Sequence, residues 1–160
     1  MKNTTLGYLY CGDDWLMLYR NKKDNDLNHG KWVGVGGKFE PGETADECFL
    51  REVKEETGFV PASFRQAGLI HFCSDIWEDE EMYLYTAELS PEDRAAALPV
   101  CNEGELAWVP LDEVMDLPMW EGDRLFLPPM LEGRTGIEMT LIYRGDDLTE
   151  YRVESEGVKR

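Results

Sequence analysis

The sequence is poor in basic residues, and this shortage limits what the protein can bind. Its 160 residues include 16 lysines and arginines against 33 aspartates and glutamates, which gives a formal net charge of −17. A protein that grips long nucleic acid through its phosphates needs the opposite balance. We therefore expect no nucleic-acid polymer among its partners, and small substrates instead.

Long apolar runs and paired cysteines are also missing. No apolar stretch approaches the length needed to cross a bilayer, and the N-terminal MKNTTLGYLYCGDDW lacks the apolar segment of a signal peptide. Cys11, Cys48, Cys73 and Cys101 form no CxxC pair and no zinc spacing with a histidine, which favours buried thiols in a reducing compartment. These absences predict a cytoplasmic protein with no membrane partner.

The composition is otherwise typical of a globular protein. The chain is 42% hydrophobic and 11% aromatic, with charged residues mixed throughout. Its length suits one domain over 1–160, without repeats or linkers. A monomer and a homodimer both remain open.

The segment 44–58 carries the signals of an amphipathic helix. Thr44 can cap its start, with Glu47 at the capping-box position three residues later. Gly58 follows as a natural C-cap. Apolar residues recur at four-residue spacing from Ala45, which predicts a buried face.

Three carboxylates would lie on adjoining turns of this helix. Steps of three and four place Glu52, Glu55 and Glu56 on one face. A hard divalent cation takes oxygen ligands and would turn their mutual repulsion into binding. A merely solvated acidic surface is the alternative, because such helices are common.

The full pattern around these acids resembles the Nudix box, G-x5-E-x7-R-E-U-x-E-E-x-G-U, where U is aliphatic or aromatic. The matching residues are Gly37, Glu43, Arg51, Glu52, Val53, Glu55, Glu56, Gly58 and Phe59. The resemblance implies a Nudix hydrolase: an α/β/α sandwich around a mixed β-sheet, whose box forms a loop, a helix and a second loop that carry Mg²⁺, with Mn²⁺ as the alternative ion. It implies structural roles for Gly37, Glu43 and Gly58. We expect Arg51 to orient the acids by pairing with Glu43 or a neighbouring carboxylate.

The residues before the box are candidates for contacts with phosphate and metal. The segment KWVGVGGK, 31–38, is not a Walker A motif, because Trp32 and Phe39 stand where glycine and Ser or Thr are required. By the resemblance, the backbone of Gly36 is a metal ligand candidate, although a simple tight turn has the same geometry. We place Gly37 and Lys38 on the substrate side, and Lys23 in the loop 20–30 as a phosphate contact.

The rest of the chain predicts alternating short elements. Strands are expected over 6–10, 16–19, 67–73, 82–89 and 105–109, short helices over 90–98 and 111–115, a helix over 119–132 with prolines 128 and 129 in it, and a closing hairpin of 136–144 with 148–153. The tail 154–160 is expected to fray.

A further catalytic glutamate is expected outside the box. Glu103 matches the E-x4-W-h-P pattern (h, hydrophobic) of MutT-like relatives through its distance to Trp108. Glu105 is the competing candidate. The resemblance implies that Glu52, Glu55, Glu56 and Glu103 hold the metal ions and that one of them accepts the proton of the attacking water.

The segment MWEGD narrows the resemblance to the 8-oxo-dGTP diphosphatase branch. There Trp120 would stack on the purine and Asp123 would contact its edge, while a core tryptophan and a helix cap are the simpler alternatives. Gly122 and Val33 depart from the branch, where relatives have an aspartate and an asparagine that read the base. The loss of such polar readers relaxes base selectivity.

The resemblance implies hydrolysis of an oxidised purine nucleoside triphosphate to the monophosphate and pyrophosphate, that is, sanitation of the nucleotide pool in support of DNA repair. The alternatives are another Nudix substrate (ADP-ribose, a dinucleoside polyphosphate or a plain dNTP) and a non-catalytic Nudix-fold binding module. Non-catalytic modules of this kind usually lose box glutamates, and this chain keeps all of them.

Overall fold

A mixed β-sheet forms the centre of the molecule in the computed structural model, which describes residues 1–159. The order of the strands in the sheet is β3-β2-β1-β5-β4-β7-β8, and β6 also pairs with β2. The strands are β1 (Lys2–Cys11), β2 (Asp14–Tyr19), β3 (Trp32–Val33), β4 (Ser63–Ser74), β5 (Glu80–Glu88), β6 (Glu105–Pro110), β7 (Arg134–Arg144) and β8 (Asp147–Lys159). The β1–β5 and β4–β7 pairs are parallel and the others antiparallel.

Helices pack on both sides of this sheet, so the predicted α/β/α sandwich is confirmed. They are α1 (Ala45–Thr57), α2 (Pro91–Ala95), α3 (Leu111–Val114) and α4 (Asp123–Leu131). One core joins Phe49 and Val53 of α1 to Tyr85 of β5. The second core joins Phe126 of α4 to Ile70 of β4 on the other side. Neighbouring side chains of a strand point to opposite faces, which explains how one sheet serves both cores.

The predicted caps of α1 are both present. The N–H of Glu47 donates to Thr44 Oγ1 at 3.2 Å, and the N–H of Thr44 donates to Glu47 Oε1 at 2.9 Å. Gly58 ends the helix with a φ of +79°, a conformation that favours glycine. The helix that carries three of the predicted acids therefore has fixed ends.

Several predicted bounds differ from the structure. The strands β1 and β4 each begin four residues earlier than expected, and two further differences have an identifiable cause. The fourth helix begins at Asp123 instead of residue 119, because residues 118–120 are irregular and 121–122 form a turn. In this segment the Pro118 carbonyl accepts a backbone hydrogen bond from Trp32, and the Trp120 indole donates to Asn28. Both prolines lie inside α4, which ends two residues after the second. The prediction of a frayed tail is wrong for 154–159, because β8 pairs with β7 as far as Lys159 opposite Arg134; residue 160 lies outside the described residues.

The prediction of buried thiols holds for two of the four cysteines. All four cysteines are free; Cys48 and Cys101 are buried, whereas Cys11 and Cys73 are only half-buried. Within residues 1–159, none of the helices is both long and apolar enough to span a membrane.

Candidate active site

Two of the α1 carboxylates face the glycine segment that follows β3. The N–H of Gly36 donates to Glu56 Oε2 at 3.3 Å. Gly37 lies so close to Glu52 that a Cβ at this position would collide with the carboxylate. Glu55 points outward, with 56% of its side chain exposed. The absence of a side chain at position 37 is thus a condition for this approach of the loop to the helix.

Arg51 binds the acids of the box together. Its Nε and Nη2 donate to the two oxygens of Glu43 at 2.6 and 3.0 Å, and its Nη1 reaches Glu52 Oε1 at 2.9 Å and Glu55 Oε2 at 3.2 Å. The hydrogen bonds from Arg51, with one from the backbone of Glu40, lower the pKa of Glu43 to about 2. Arg51 also donates to the carbonyl of Lys38 at 3.0 Å. The expected pairing of Arg51 with Glu43 is confirmed.

Glu103 is the distant glutamate that the fold brings toward α1. Burial, followed by the charges of Glu103 and Glu52, raises the pKa of Glu56 well above its usual range. Glu103 Oε2 also forms an ion pair with Arg20 Nη1 at 3.1 Å. Glu105, by contrast, is exposed on β6 opposite Tyr19.

The chemistry of these acids suits a divalent cation. Within residues 1–159, no three ligating side chains already converge on one point, since Arg51 holds Glu52 and Glu55 while Arg20 holds Glu103. Burial is also the main cause that raises the pKa of Glu52. A positive charge among these carboxylates would offset both their burial and their mutual repulsion, and carboxylate oxygens are the ligands that hard divalent ions prefer. The residues therefore fit a metal ion.

A cavity of about 260 Å³ lies beside this group. It is slightly smaller than the roughly 300–1,000 Å³ typical of small-molecule pockets. Gly36, Gly37 and Lys38 line it next to the acids. Trp120 and Asp123 line it from the turn before α4 and from the first residue of α4. One continuous space thus joins the box to the MWEGD segment.

The Trp120 ring is held in place by polar and aromatic neighbours. Its Nε1 donates to Asn28 Oδ1 at 2.7 Å, and Lys31 Nζ lies 4.2 Å from the ring centroid. The ring meets Tyr143 edge to face, with 5.5 Å between the centroids. A fixed, partly exposed indole is a suitable surface for stacking an aromatic ligand.

Asp123 is a nearly buried carboxyl at the wall of the cavity. Only 8% of the residue is exposed. Burial raises its pKa to about 7, although the charges of Arg124 and Lys31 act in the opposite direction. Asp123 opens α4 without making a side-chain cap, so the simple capping role is wrong.

The structure adds residues to the cavity lining. It leaves out one predicted substrate contact, Lys23, as well as Arg51 and the four predicted catalytic glutamates. Lys23 is exposed in the loop after β2 and does not line the cavity, whereas Arg20 does. Tyr143 and Leu141 of β7 line it as well. Their spacing of two was visible in the sequence, but the surface that they face depends on the pairing of β7 with β4.

Comparisons with known proteins agree with this architecture. Residues 3–130 match the model of the NUDIX domain. An uncharacterised Nudix hydrolase of Bacillus subtilis, YvcI, is 27% identical over 99% of this chain and 98% of its own. The oxidized purine nucleoside triphosphate hydrolase of Danio rerio is 27% identical over 82% of this chain and 83% of its own. A MutT protein of Bacillus halodurans superimposes with a TM-score of 0.83 at 26% identity, over 96% of this chain and 98% of that one. The chain therefore belongs to the Nudix hydrolase family.

Proposed function

We propose that the protein is a Mg²⁺-dependent pyrophosphohydrolase of oxidised purine nucleoside triphosphates, 8-oxo-dGTP among them. Nudix hydrolases act on phosphoanhydrides and generally use divalent metal ions. What we propose for this protein is the particular ion, Mg²⁺, and the particular class of substrate. The observation that carries it is the cavity lined both by Trp120 and Asp123 and by Gly36 and Gly37. Gly36 is hydrogen-bonded to Glu56, and Gly37 lies against the Glu52 carboxylate, so the box acids lie directly behind this wall. An aromatic surface and a group of acidic side chains close to the same cavity suit a nucleotide with its metal ion.

The base would lie at the Trp120 side of the cavity. The indole offers a stacking surface, and the Asp123 carboxyl offers a hydrogen bond to the base edge. Relatives from Danio rerio and Mus musculus, 27% and 26% identical, are named oxidized purine nucleoside triphosphate hydrolases, which supports a purine there.

The triphosphate would extend toward Gly36, Gly37 and Lys38. Lys38 supplies positive charge at the cavity, where Arg20 also lies, paired with Asp26 and Glu103. Lys23 stays a predicted phosphate contact, which a long flexible side chain could make from its exposed loop. The large negative charge of the protein favours a small nucleotide over a polymer.

The box acids and Glu103 would supply the catalytic groups. Glu52, Glu55, Glu56 and Glu103 would hold Mg²⁺ or Mn²⁺, which when bound withdraws charge from phosphate and lowers the pKa of water. One of these carboxylates accepts the proton of the attacking water, and Arg51 keeps the acids in position through Glu43. The products are a nucleoside monophosphate and pyrophosphate.

A nucleotide panel tests this proposal. Pyrophosphate release and the monophosphate product would be measured with Mg²⁺ and with Mn²⁺ for 8-oxo-dGTP, 2-oxo-dATP, plain dNTPs, ADP-ribose and a dinucleoside polyphosphate. We expect 8-oxo-dGTP among the best substrates by kcat/KM. A clear preference for ADP-ribose or the dinucleoside polyphosphate would overturn the assignment.

Two variants test whether the reaction takes place at the box. Glu55→Gln and Glu56→Gln keep the side-chain size but weaken metal binding and proton transfer, so kcat should fall by about 10²-fold or more. Glu113→Gln removes an exposed charge on α3 and is the matched control. Unchanged turnover in both box variants would place the chemistry elsewhere or assign the activity to a contaminant.

A further inference from the structure

Tyr143 brings a second polar group to the base side of the cavity. It lines the cavity beside Asp123, and its hydroxyl oxygen accepts a hydrogen bond from the N–H of Gly122 at 2.7 Å. A side chain at position 122 would compete for this place, because a Cβ there would lie 2.8 Å from the hydroxyl and 2.6 Å from Leu141 Cδ1. The glycine therefore lets the phenol reach the turn that carries Trp120.

The Tyr143 hydroxyl has a hydrogen to donate. Burial, together with the nearby negative charges of Asp123 and Glu121, raises its pKa to about 12 despite the hydrogen bond from Gly122, so the phenol stays protonated at neutral pH. Its oxygen accepts from Gly122, and within residues 1–159 no acceptor takes its own hydrogen. A buried donor without a partner costs free energy, and a hydrogen-bond acceptor on a ligand would remove that cost.

Next to the Tyr143 phenol, Asp123 offers a hydrogen-bond acceptor. Among residues 1–159 no donor reaches its carboxylate through a hydrogen bond, although its charge acts on both Tyr143 and Tyr8. An ionised carboxylate only accepts hydrogen bonds, whereas a phenol can donate one. The wall of the cavity thus presents a donor beside an acceptor.

We propose that Tyr143 and Asp123 together select purines with an oxygen at position 6. This inference rests on the proposed function and narrows its substrate class. A 6-oxopurine presents an acceptor, O6, next to a donor, N1–H. Tyr143 donates to O6, and Asp123 accepts from N1–H.

Adenine presents the reverse order at this edge. Its 6-amino group donates where O6 would accept, and its N1 accepts where N1–H would donate. Bound in the same orientation, it faces the phenol with a donor and the carboxylate with a lone pair. A site built for one set of hydrogen bonds strongly rejects a ligand that leaves its buried groups unpaired.

The test compares dITP with dATP, which differ only at the 6-position and in the N1 hydrogen that follows from it. At about pH 8, where Asp123 is mostly ionised, we expect the wild-type protein to favour dITP by roughly tenfold or more in kcat/KM. Tyr143→Phe removes the hydroxyl and keeps the ring that packs on Trp120. It should lower kcat/KM for dITP, dGTP and 8-oxo-dGTP by roughly tenfold and change that for dATP less than about threefold.

Controls separate a specificity role from a structural one. Tyr151→Phe deletes a hydroxyl from a residue that is 52% exposed on β8, and it should leave the dITP to dATP ratio unchanged. An equal loss for both nucleotides in Tyr143→Phe would mean that the hydroxyl only holds the turn at Gly122, and would overturn the inference. Should that variant not fold, the wild-type ratio decides: a ratio near one overturns the inference.

The two proposals fail in different ways. Hydrolysis of purine triphosphates without a 6-oxo preference refutes only the role of Tyr143 and Asp123. No hydrolysis of any purine triphosphate by the wild-type protein refutes the proposed function, and this inference with it.

Discussion

Asp123→Asn should make the protein more stable at neutral and alkaline pH. The folded protein holds the Asp123 proton with a pKa of about 7, whereas an unfolded chain releases it near the ordinary value of 3.8. Below both values each state is protonated and the residue has no pH effect. Between them only the unfolded chain has lost the proton, so stability falls as the pH rises.

The magnitude follows from this difference in pKa. The pKa values differ by about 3 units, and about 1.4 kcal/mol per unit gives an upper value of about 4 kcal/mol above pH 7. Water that enters the cavity through its mouth lowers this value, so we expect between about 1 and 4 kcal/mol. Asparagine does not titrate and carries no such penalty.

Urea unfolding of both proteins between about pH 5 and pH 8 measures the effect. The quantity of interest is the stability of Asp123→Asn minus that of the wild type, because the titration of all other groups largely cancels in it. This difference should grow with pH. Asp112→Asn, an exposed change on α3, should give a flat difference. A flat difference for Asp123→Asn as well would refute a raised pKa at Asp123.

Three further changes test the α1 region. Glu103→Gln should lower kcat by about 10²-fold, because the charge of Glu103 acts on Glu56 of the box. Glu105→Gln should change kcat little, and equal losses for the two variants in steady-state assays would contradict this difference. Gly37→Ala should weaken activation by Mg²⁺, since the new methyl group displaces the carboxylate of Glu52. In a metal titration, an unchanged half-saturating Mg²⁺ concentration would argue against that contact. Thr44→Ala removes the capping box and should cost about 1 kcal/mol, which lowers Tm by about 2–4 °C in calorimetry; an unchanged Tm would mean that the cap adds nothing.

Local signals in the sequence predicted the parts of the fold that local interactions determine. The start and end of α1 follow from Thr44, Glu47 and Gly58, whose bonds involve residues three or four positions away. The pairing of Arg51 with Glu43 lies within eight residues and was also predictable. The spacing of Glu52 and Glu56 on one face needed only the period of a helix.

Contacts between distant segments determine the rest. Nothing local indicates that Arg20 meets Glu103, or that the Tyr143 hydroxyl fills the space beside Gly122. The strand 154–159 has few apolar residues, so its pattern resembles a solvated tail; the backbone hydrogen bonds of β7 make it a strand. The late start of α4 depends likewise on Asn28 and Trp32 from the loop after β2 and from β3.

The long last strand leaves one row of backbone groups without a neighbouring strand. In the described part of the chain, 1–159, β8 pairs with β7 alone, and most of its residues are exposed. Such an edge invites another copy of the chain to add to the sheet. The strand carries two basic residues and four acidic ones, so like charges keep copies apart; the acids are Asp147, Glu150, Glu154 and Glu156. Neutral residues at these four positions would remove that repulsion and leave Tyr151 and Val153, which are 52% and 41% exposed, free to promote fibre-like association.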